Sequence, residues 1–320
     1  MTAFEKRWAE RVIPRLEELP PPVFILGHWR SGTTHLYNIM SLGDFAYVPP
    51  VAVGMPWDML LLGRALGPLL ERALPDSRYI DSIPVTPTSP QEDEIAIANM
   101  SPLSFYHAIY FPRHFDRLLN RGLFHEGASA DEVAQWESAF TLFLRKIAYS
   151  QKKPLLIKNP VYTARPSQIR RLFPQARFIH IHRDPFDVFL SMRNFWAQLL
   201  NVMALQPWSH VDIDGTILRV YQRMMEAYDR ETAGWQAPDL VEIAYDDLDR
   251  APLETVEHIY GALQLPGLDT ARPRFAAYLQ SVRSYRKNRF RGDAEAVRKV
   301  EAALGPWIRR WGYRVPEPAA

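Results

Sequence analysis

The stretch "FILGHWRSGTTHL", residues 24–36, constrains the fold more than any other part of the chain. A short apolar run ends at a glycine, and a second glycine is followed by hydroxyl residues and a helical pattern. This is the arrangement of a phosphate-binding loop, which joins a buried strand to a helix and reads G-x-x-x-x-G-K-[ST]. Gly27, Gly32 and Thr34 take the glycine and hydroxyl positions, but Thr33 stands where that pattern has its lysine. The loop therefore predicts an anion site that lacks the residue reaching a γ-phosphate.

Apolar runs alternate with helical patterns along much of the chain. Four of them have the length and residue types of buried strands, namely "PVFIL" (22–26), "PLLIK" (154–158), "RFIHIH" (177–182) and "LVEIAY" (240–245). Asp184 and Pro185 follow the third run as the N-cap and first residue of a helix. This alternation predicts an α/β fold, a P-loop-type parallel sheet flanked by helices. Ligands of such sheets bind beyond the carboxyl ends of the strands, where the motifs of this chain lie.

We expect a single domain that covers residues 1–320 and carries one long insertion. The segment from about 40 to 148 interrupts the alternation with Pro-rich stretches and helical patterns. We expect this mostly helical insertion to form the acceptor side of the protein. Its most apolar part, "MPWDMLLLGRALGPLL" (55–70), is shorter than the roughly 20 residues of a membrane span. It is either part of the core or a wall of the substrate pocket.

The composition excludes several classes of protein. No cysteine is present, so the chain has neither a disulfide framework nor a thiolate metal site. The formal net charge of +2 creates no global field that would attract nucleic acid. The N-terminus is charged and amphipathic and lacks the apolar core of a signal peptide. These features predict a cytoplasmic protein with no membrane span and no nucleic-acid partner, and they do not indicate an oligomeric state.

Two groups of side chains are suited to hold phosphate oxygens. The first group is the loop, where backbone N–H groups at the start of the helix can bind an anion. The loop also carries one cation and three hydroxyl groups, on Arg30, Ser31, Thr33 and Thr34. Arg183 ends the third strand, and Ser191 follows eight residues later, about two helical turns on. An arginine at a strand end and a hydroxyl on the flanking helix can grip one phosphate from two sides. The neighbouring Arg170 and Arg171 are typical of a solvated helix face instead.

These motifs together resemble the sulfotransferase superfamily, whose donor is 3′-phosphoadenosine 5′-phosphosulfate (PAPS). "RSGTT" (30–34) resembles the family's 5′-phosphosulfate loop, and Arg183 with Ser191 resembles its 3′-phosphate pair. The segment 244–266 resembles the family's tyrosine-containing strand end and following helix. "RKN" (286–288) resembles its C-terminal basic clamp more loosely. The segment from "LLIKNP" to "FLSM" is most similar to the bacterial and tyrosylprotein branch.

The resemblance implies a metal-independent transfer of the sulfuryl group from PAPS to a hydroxyl of a small acceptor. PAPS has no γ-phosphate and sulfuryl transfer needs no magnesium, which explains the absent lysine. Arg30 is expected to hold the sulfuryl and 5′-phosphate oxygens, and Lys158 to meet the charge on the bridging oxygen. The other donor contacts are expected from Ser31, Gly32, Thr33, Thr34, His35, Arg183, Ser191, Tyr245, Arg286 and Lys287, with Tyr245 and His35 beside the adenine.

The general base is less clearly indicated. Tyrosylprotein-type enzymes carry a glutamate beyond their loop, but the corresponding "FAYVPPVAVG" contains none, which disfavours a peptide tyrosine as acceptor. Glu92 and Glu94, with Asp93 between them, are the first candidates, because clustered carboxylates raise one another's pKa. His107 and His28 are the next. Alternatively, these acids are only the first turn of a helix, where the macrodipole favours negative charge.

Two alternative functions remain open from the sequence. One is a P-loop kinase or NTPase, and another is a protein that binds PAPS or its product 3′-phosphoadenosine 5′-phosphate (PAP) without catalysis. His180 and His182 alternate onto one strand face. They are either core residues or two ligands of a metal ion, for which the sequence offers no obvious third ligand. Apolar stretches in the insertion and after Arg193 suggest a hydrophobic alcohol, lipid or polyketide-like acceptor, although they are equally consistent with ordinary core.

Overall fold

The computed structural model describes residues 2–71, 86–282 and 294–316. Arg286 and Lys287 lie outside the described residues. The strands are β1 (Val23–Leu26), β2 (Leu156–Lys158), β3 (Arg177–His182) and β4 (Leu240–Ala244). The helices are α1 (Thr2–Val12), α2 (Thr33–Met40), α3 (Pro50–Gly54), α4 (Leu62–Glu71), α5 (Glu94–Ala98), α6 (Tyr106–Tyr110), α7 (Phe115–Phe124), α8 (Ala130–Gln151), α9 (Pro166–Leu172), α10 (Pro185–Met203), α11 (Ile213–Glu231), α12 (Tyr245–Arg250), α13 (Pro252–Ala262), α14 (Leu268–Ser281) and α15 (Ala294–Arg310).

The four strands form one parallel sheet in the order β2-β1-β3-β4. Each pairs in parallel with its neighbour, with Val23 opposite Leu156 on one side and opposite Arg177 on the other. The central strand β1 is buried along its whole length, which is why its sequence is continuously apolar and not alternating. The predicted parallel α/β sheet is confirmed, and all four predicted strands lie in it.

Helices cover both faces of the sheet. Phe24 and Leu26 point into a large core formed with α8, α10, α11 and α15. Val23 and Ile25 point to the opposite face, where α2, α13 and α14 pack. This alternation is the two-residue period of a strand, read on a sheet that has apolar layers on both sides.

The described residues between α2 and β2 form helices joined by loops and turns, without a strand. They include α3 to α8 and a single isolated bridge from Ala46 to Leu155, which agrees with the predicted helical insertion. The longest helix, α8, begins with a capping box in which Ser129 and Glu132 bond each other's backbone N–H groups. No helix in the described ranges is long and apolar enough to cross a membrane.

A buried ion pair ties the N-terminal helix to the insertion. Lys146 on α8 donates to Glu5 Oε1 on α1 at 2.7 Å and to the carbonyl of Trp57 at 2.6 Å. The same carboxylate accepts the N–H groups of Leu60 and Leu61. Both charged side chains are fully buried, so each neutralises the other and satisfies the backbone around it.

Candidate active site

The loop after β1 has a backbone that only glycine adopts easily at two positions. Gly27 and Gly32 have φ values of 142° and 99°, and Arg30 between them has a φ of 68°. A Cβ at Gly27 would lie 2.5 Å from the carbonyl oxygen of Ile181, and one at Gly32 would lie 2.2 Å from the ring of Tyr245. The close approach of β3 and of Tyr245 at the start of α12 therefore requires glycine at these two positions.

The start of α2 presents backbone donors at the end of this loop. Gly32 is the N-cap and no side chain caps the helix, and the first N–H groups of a helix have no partner within it. Consecutive donors beside residues of positive φ form a concavity suited to an anion. The hydroxyl of Ser31 turns inward and donates to the carbonyl of His28 at 2.7 Å, so Ser31 stabilises the turn itself.

Two arginines and a serine hydroxyl lie at this loop. Arg30 Nε donates to Ser191 Oγ on α10 at 2.9 Å. Arg183, at the end of β3, places its guanidinium 4.6 Å from the ring centre of Tyr245 and donates to Asp187 at 2.7 Å. The structure thus brings together four of the predicted donor contacts, from the loop, β3, α10 and the end of β4. His35 is half-buried on the first turn of α2.

A second charged group closes the site on the β2 side. Lys158 is the last residue of β2, and its Nζ donates to Thr34 Oγ1 at 3.1 Å. The same Nζ forms an ion pair with Glu92, whose side chain keeps one fifth of its surface exposed. A lysine, a hydroxyl and an accessible carboxylate therefore lie side by side next to the phosphate loop.

The two other carboxylates of the acidic stretch face inward. Glu94 accepts hydrogen bonds from Ser104 Oγ at 2.6 Å and Asn159 Nδ2 at 2.8 Å. Asp93 accepts from Asn159 Nδ2 at 2.9 Å and from the hydroxyl of Tyr162. Both oxygens of Glu94 are occupied by protein donors, so the geometry leaves Glu92 as the carboxylate that faces the site.

Burial explains the titration of these inner acids. It raises the pKa of Asp93 to about 7, with a smaller contribution from the neighbouring Glu94 and opposing hydrogen bonds from Tyr162 and Asn159. Burial also raises the pKa of Glu94. The expected upward pKa shift is therefore present, but desolvation and not mutual repulsion is its main cause.

The two histidine candidates for the base are held by the protein itself. The ring nitrogens of His107 lie 3.1 and 3.2 Å from the carbonyls of Pro102 and Ala98. His28 is buried, bonds the carbonyl of Trp29 at 2.9 Å and stacks on Tyr221. Burial lowers the pKa of His28 to about 4, so this ring is neutral at pH 7.

His180 and His182 lie among aromatic rings. His180 stacks on Tyr228 at 4.0 Å and bonds Glu242 at 2.8 Å, while His182 stacks on Trp311 at 4.4 Å. Within the residues that the structure describes, no group of three or more His, Asp or Glu is arranged to hold a metal ion. These contacts are those of packed core histidines.

Sequence reasoning missed the residues that connect the acidic stretch to the sheet. Asn159 donates to two carboxylates at once, and the guanidinium of Arg165 lies buried nearby, bonded to the carbonyls of Gly122 and Leu123. The position of Asn159, directly after Lys158 at the carboxyl end of β2, was the one available signal. Its partners lie more than 60 residues away in the insertion, where no local pattern points to them.

Comparisons with known proteins show the family and the fold. The Sulfotransferase family model matches residues 21–270. An omega-hydroxy-beta-dihydromenaquinone-9 sulfotransferase of Mycobacterium tuberculosis is 28% identical, over 99% of this chain and 80% of that protein. The crystal structure of a sulfotransferase from Mycobacterium avium superimposes with a TM-score of 0.72 at 15% identity, over 97% of this chain and 82% of that one. A second, from Mycobacterium tuberculosis, has a TM-score of 0.62 at 17% identity, over 86% and 76% of the chains; at these identities the two structures show the shared fold.

Proposed function

Because this chain belongs to the sulfotransferase family, we propose that it transfers the sulfuryl group of PAPS to a hydroxyl group of a lipid-like acceptor. The observation that carries the proposal is the meeting of Lys158, Thr34 and Glu92 beside the phosphate loop. This group offers a cation for the leaving oxygen and a carboxylate for the acceptor proton, next to a backbone that favours anions.

The residues present fit the phosphates of PAPS. The uncapped N-terminus of α2 and the guanidinium of Arg30 would hold the 5′-phosphosulfate. Arg183 and Ser191 would hold the 3′-phosphate, since both contact Arg30, Arg183 at its carbonyl at 3.5 Å and Ser191 at its Nε at 2.9 Å. For the remaining contacts we propose Thr33 beside the α2 terminus, His35 and Tyr245 near the adenine, and Arg286 and Lys287 in the C-terminal clamp.

When bound, PAPS supplies a sulfuryl group that is already activated for displacement. The new bond joins the acceptor oxygen to sulfur, the bond from sulfur to the 5′-phosphate oxygen breaks, and the acceptor proton passes to Glu92. Lys158 and Arg30 stabilise the negative charge that develops on the leaving phosphate and on the sulfuryl oxygens. Positioning and electrostatic stabilisation are what this chain's residues contribute, as in phosphoryl transfer.

Before the donor binds, the ion pair with Glu92 stabilises the charge of Lys158. A nearly buried ammonium group is costly without a partner, and Glu92 provides one from a more exposed position. With the phosphosulfate in place, we expect Lys158 to turn towards the bridging oxygen. That movement would free the carboxylate of Glu92 for the acceptor hydroxyl.

Trp29 lies in the phosphate loop, and its ring meets Phe105 at 5.2 Å and Phe195 at 6.5 Å. Phe105 and Phe195 belong to two of the apolar stretches of the sequence, and all three side chains are packed in the core. The apolar acceptor is therefore supported by a relative and not by these rings. The 28% identical relative is, by its name, a sulfotransferase of a menaquinone derivative, which is a long apolar molecule with a terminal hydroxyl group.

Calorimetric titration with PAP and with ATP, each in EDTA and in magnesium, tests the donor site. We expect metal-independent binding of PAP that weakens about 10- to 100-fold in Arg183→Ala, because a charge-assisted phosphate contact is lost. Arg171→Ala is the matched control, since Arg171 pairs with Glu137 on the surface. Binding of ATP that requires magnesium, without binding of PAP, would contradict the proposal.

The acceptor is tested separately by transfer of labelled sulfate from PAPS. We expect product with a long-chain prenyl or quinone alcohol and much less with a short water-soluble alcohol. Tight binding of PAP without turnover on any alcohol would instead identify a non-catalytic PAP-binding protein.

A further inference from the structure

Three large apolar side chains are exposed together where α6 and α10 end. Phe111 is 42% exposed, Val202 51% and Leu205 72%. The two segments that carry them are adjacent, because the N–H of Leu205 donates to the carbonyl of Tyr110 at 3.0 Å. We call these three residues the apolar patch. Exposed apolar groups that cluster in this way are typical of an interaction surface.

The patch is held in a defined shape by the segments that carry it. The N–H of Arg113 donates to Gln206 Oε1 at 3.2 Å, and His210 Nε2 donates to the carbonyl of Pro112 at 2.9 Å. With the bond of Leu205, these contacts join residues 110–114 to residues 205–210. The surface is therefore built into the fold.

Two arginines stand beside the patch. Arg113 and Arg117 are exposed, and neither forms an ion pair with a carboxylate of the described residues. The two nearby acids, Asp116 and Asp212, are both within salt-bridge distance of Arg219. The rim thus keeps a positive excess of one charge, from three arginines and two carboxylates.

An apolar centre with a cationic rim matches the surface of a bilayer that contains anionic lipid. Apolar side chains enter the boundary between headgroups and acyl chains, while arginines meet the phosphates. Trp208, half-buried in the segment that carries the patch, is of the residue type that favours this boundary.

The patch lies within reach of the proposed active site along α10. This helix carries Ser191 near its start and Val202 near its end, and these eleven positions correspond to about 16 Å along the helix. α6 contacts α10, and Phe105, which precedes α6, meets Trp29 of the phosphate loop.

We propose that the apolar patch and its arginines dock the protein on the surface of an anionic bilayer, from which the hydroxyl end of a lipid acceptor enters the site. This inference rests on the proposed function and names the partner of that site.

Co-sedimentation with phosphatidylcholine vesicles, with and without phosphatidylglycerol, tests the docking. We expect binding to the anionic vesicles that weakens at least about tenfold in the double variant Val202→Glu/Leu205→Glu, because two apolar side chains can no longer leave water. Arg113→Gln/Arg117→Gln should weaken it about tenfold and reduce its dependence on salt. Phe4→Glu/Val315→Glu, at two exposed apolar residues elsewhere, is the matched control and should bind like the parent protein.

Several results would overturn the docking proposal. They are an absence of vesicle binding, equal binding to neutral and anionic vesicles, or an equal loss in the control variant. A dimer that dissociates in Val202→Glu/Leu205→Glu, seen by light scattering without vesicles, would identify a second copy as the occupant. Titration of each variant with PAP separates the two proposals, since a docking variant should keep the donor site and a failed PAP titration would count against the proposed function alone.

Discussion

Glu92 and Glu94 are two residues apart and have opposite surroundings. Glu92 is partly exposed beside Lys158, whereas Glu94 is buried under hydrogen bonds from Ser104 and Asn159. We therefore expect Glu92 to act in the chemical step and Glu94 to contribute to the stability of the fold.

Replacement of the proposed base provides the first test at this scale. Glu92→Gln should lower kcat by about 10²- to 10⁴-fold, because the amide cannot accept the acceptor proton, while the Kd for PAP changes little. Glu94→Gln is the comparison and should act mainly on stability. Single-turnover kinetics with PAPS measure the chemical step, and a Glu92→Gln variant with the parent rate would show that another group takes the proton.

The raised pKa of Asp93 predicts how the stability of the folded protein depends on pH. Burial raises its pKa from 3.8 to about 7 in the folded protein, so between these values the folded state holds a proton that the unfolded state has lost. The stabilising contribution of Asp93 is then present below pH 4 and is lost as the pH rises towards 7. Asp93→Asn should therefore gain stability relative to the parent protein from pH 4 to pH 8, by a few kcal/mol at most. Urea unfolding at several pH values measures this difference, and parallel pH profiles would contradict it.

At the scale of elements, the site depends on the close approach of the loop to the strand ends. Gly32→Ala would place a methyl group 2.2 Å from the ring of Tyr245, on a residue with a φ of 99°. Gly234 also has a positive φ, of 81°, but a Cβ there would meet nothing within 4 Å.

This pair of glycines separates backbone strain from steric conflict. Gly234→Ala should cost about 1 kcal/mol of stability from its φ alone. Gly32→Ala should cost more and should also abolish measurable binding of PAP, since the ring of Tyr245 and the loop have to move apart. Thermal unfolding and calorimetry test both effects, and equal behaviour of the two variants would show that the contact with Tyr245 is unimportant.

At the scale of the molecule, the N-terminal helix is coupled to the insertion by the pair Glu5–Lys146. Lys146→Ala would leave a buried carboxylate without its counter-charge, which typically costs 3–5 kcal/mol. Lys153→Ala is the control, because Lys153 pairs with Asp44 on the surface and such pairs contribute about 1 kcal/mol or less. Urea unfolding compares the two. An equally small loss in both variants would mean that α1 does not stabilise the body of the protein.

The fold was predictable where the pattern is local. A run such as "PVFIL" identifies a buried strand by its residue types, and Asp184 with Pro185 identifies the start of a helix, with Asp184 bonding the N–H of Phe186 as expected. The end of β4 was predicted less accurately. Tyr245 begins α12 instead of closing the strand, because a terminal residue takes its conformation from what it packs against, here the loop at Gly32.

The sequence by itself determined the parallel sheet, the glycine-bent loop with Arg30 in it, and the positions of Lys158 and Arg183 at strand ends. These features follow from side-chain periodicity and backbone conformation, which act over a few residues. Only the tertiary structure decided that Glu92 meets Lys158, that Asn159 holds Asp93 and Glu94, and that Phe111 and Leu205 share one surface. Each of these contacts joins residues tens of positions apart, and it forms because helices of the insertion pack their apolar faces onto the sheet, an outcome of the whole core that no local pattern encodes.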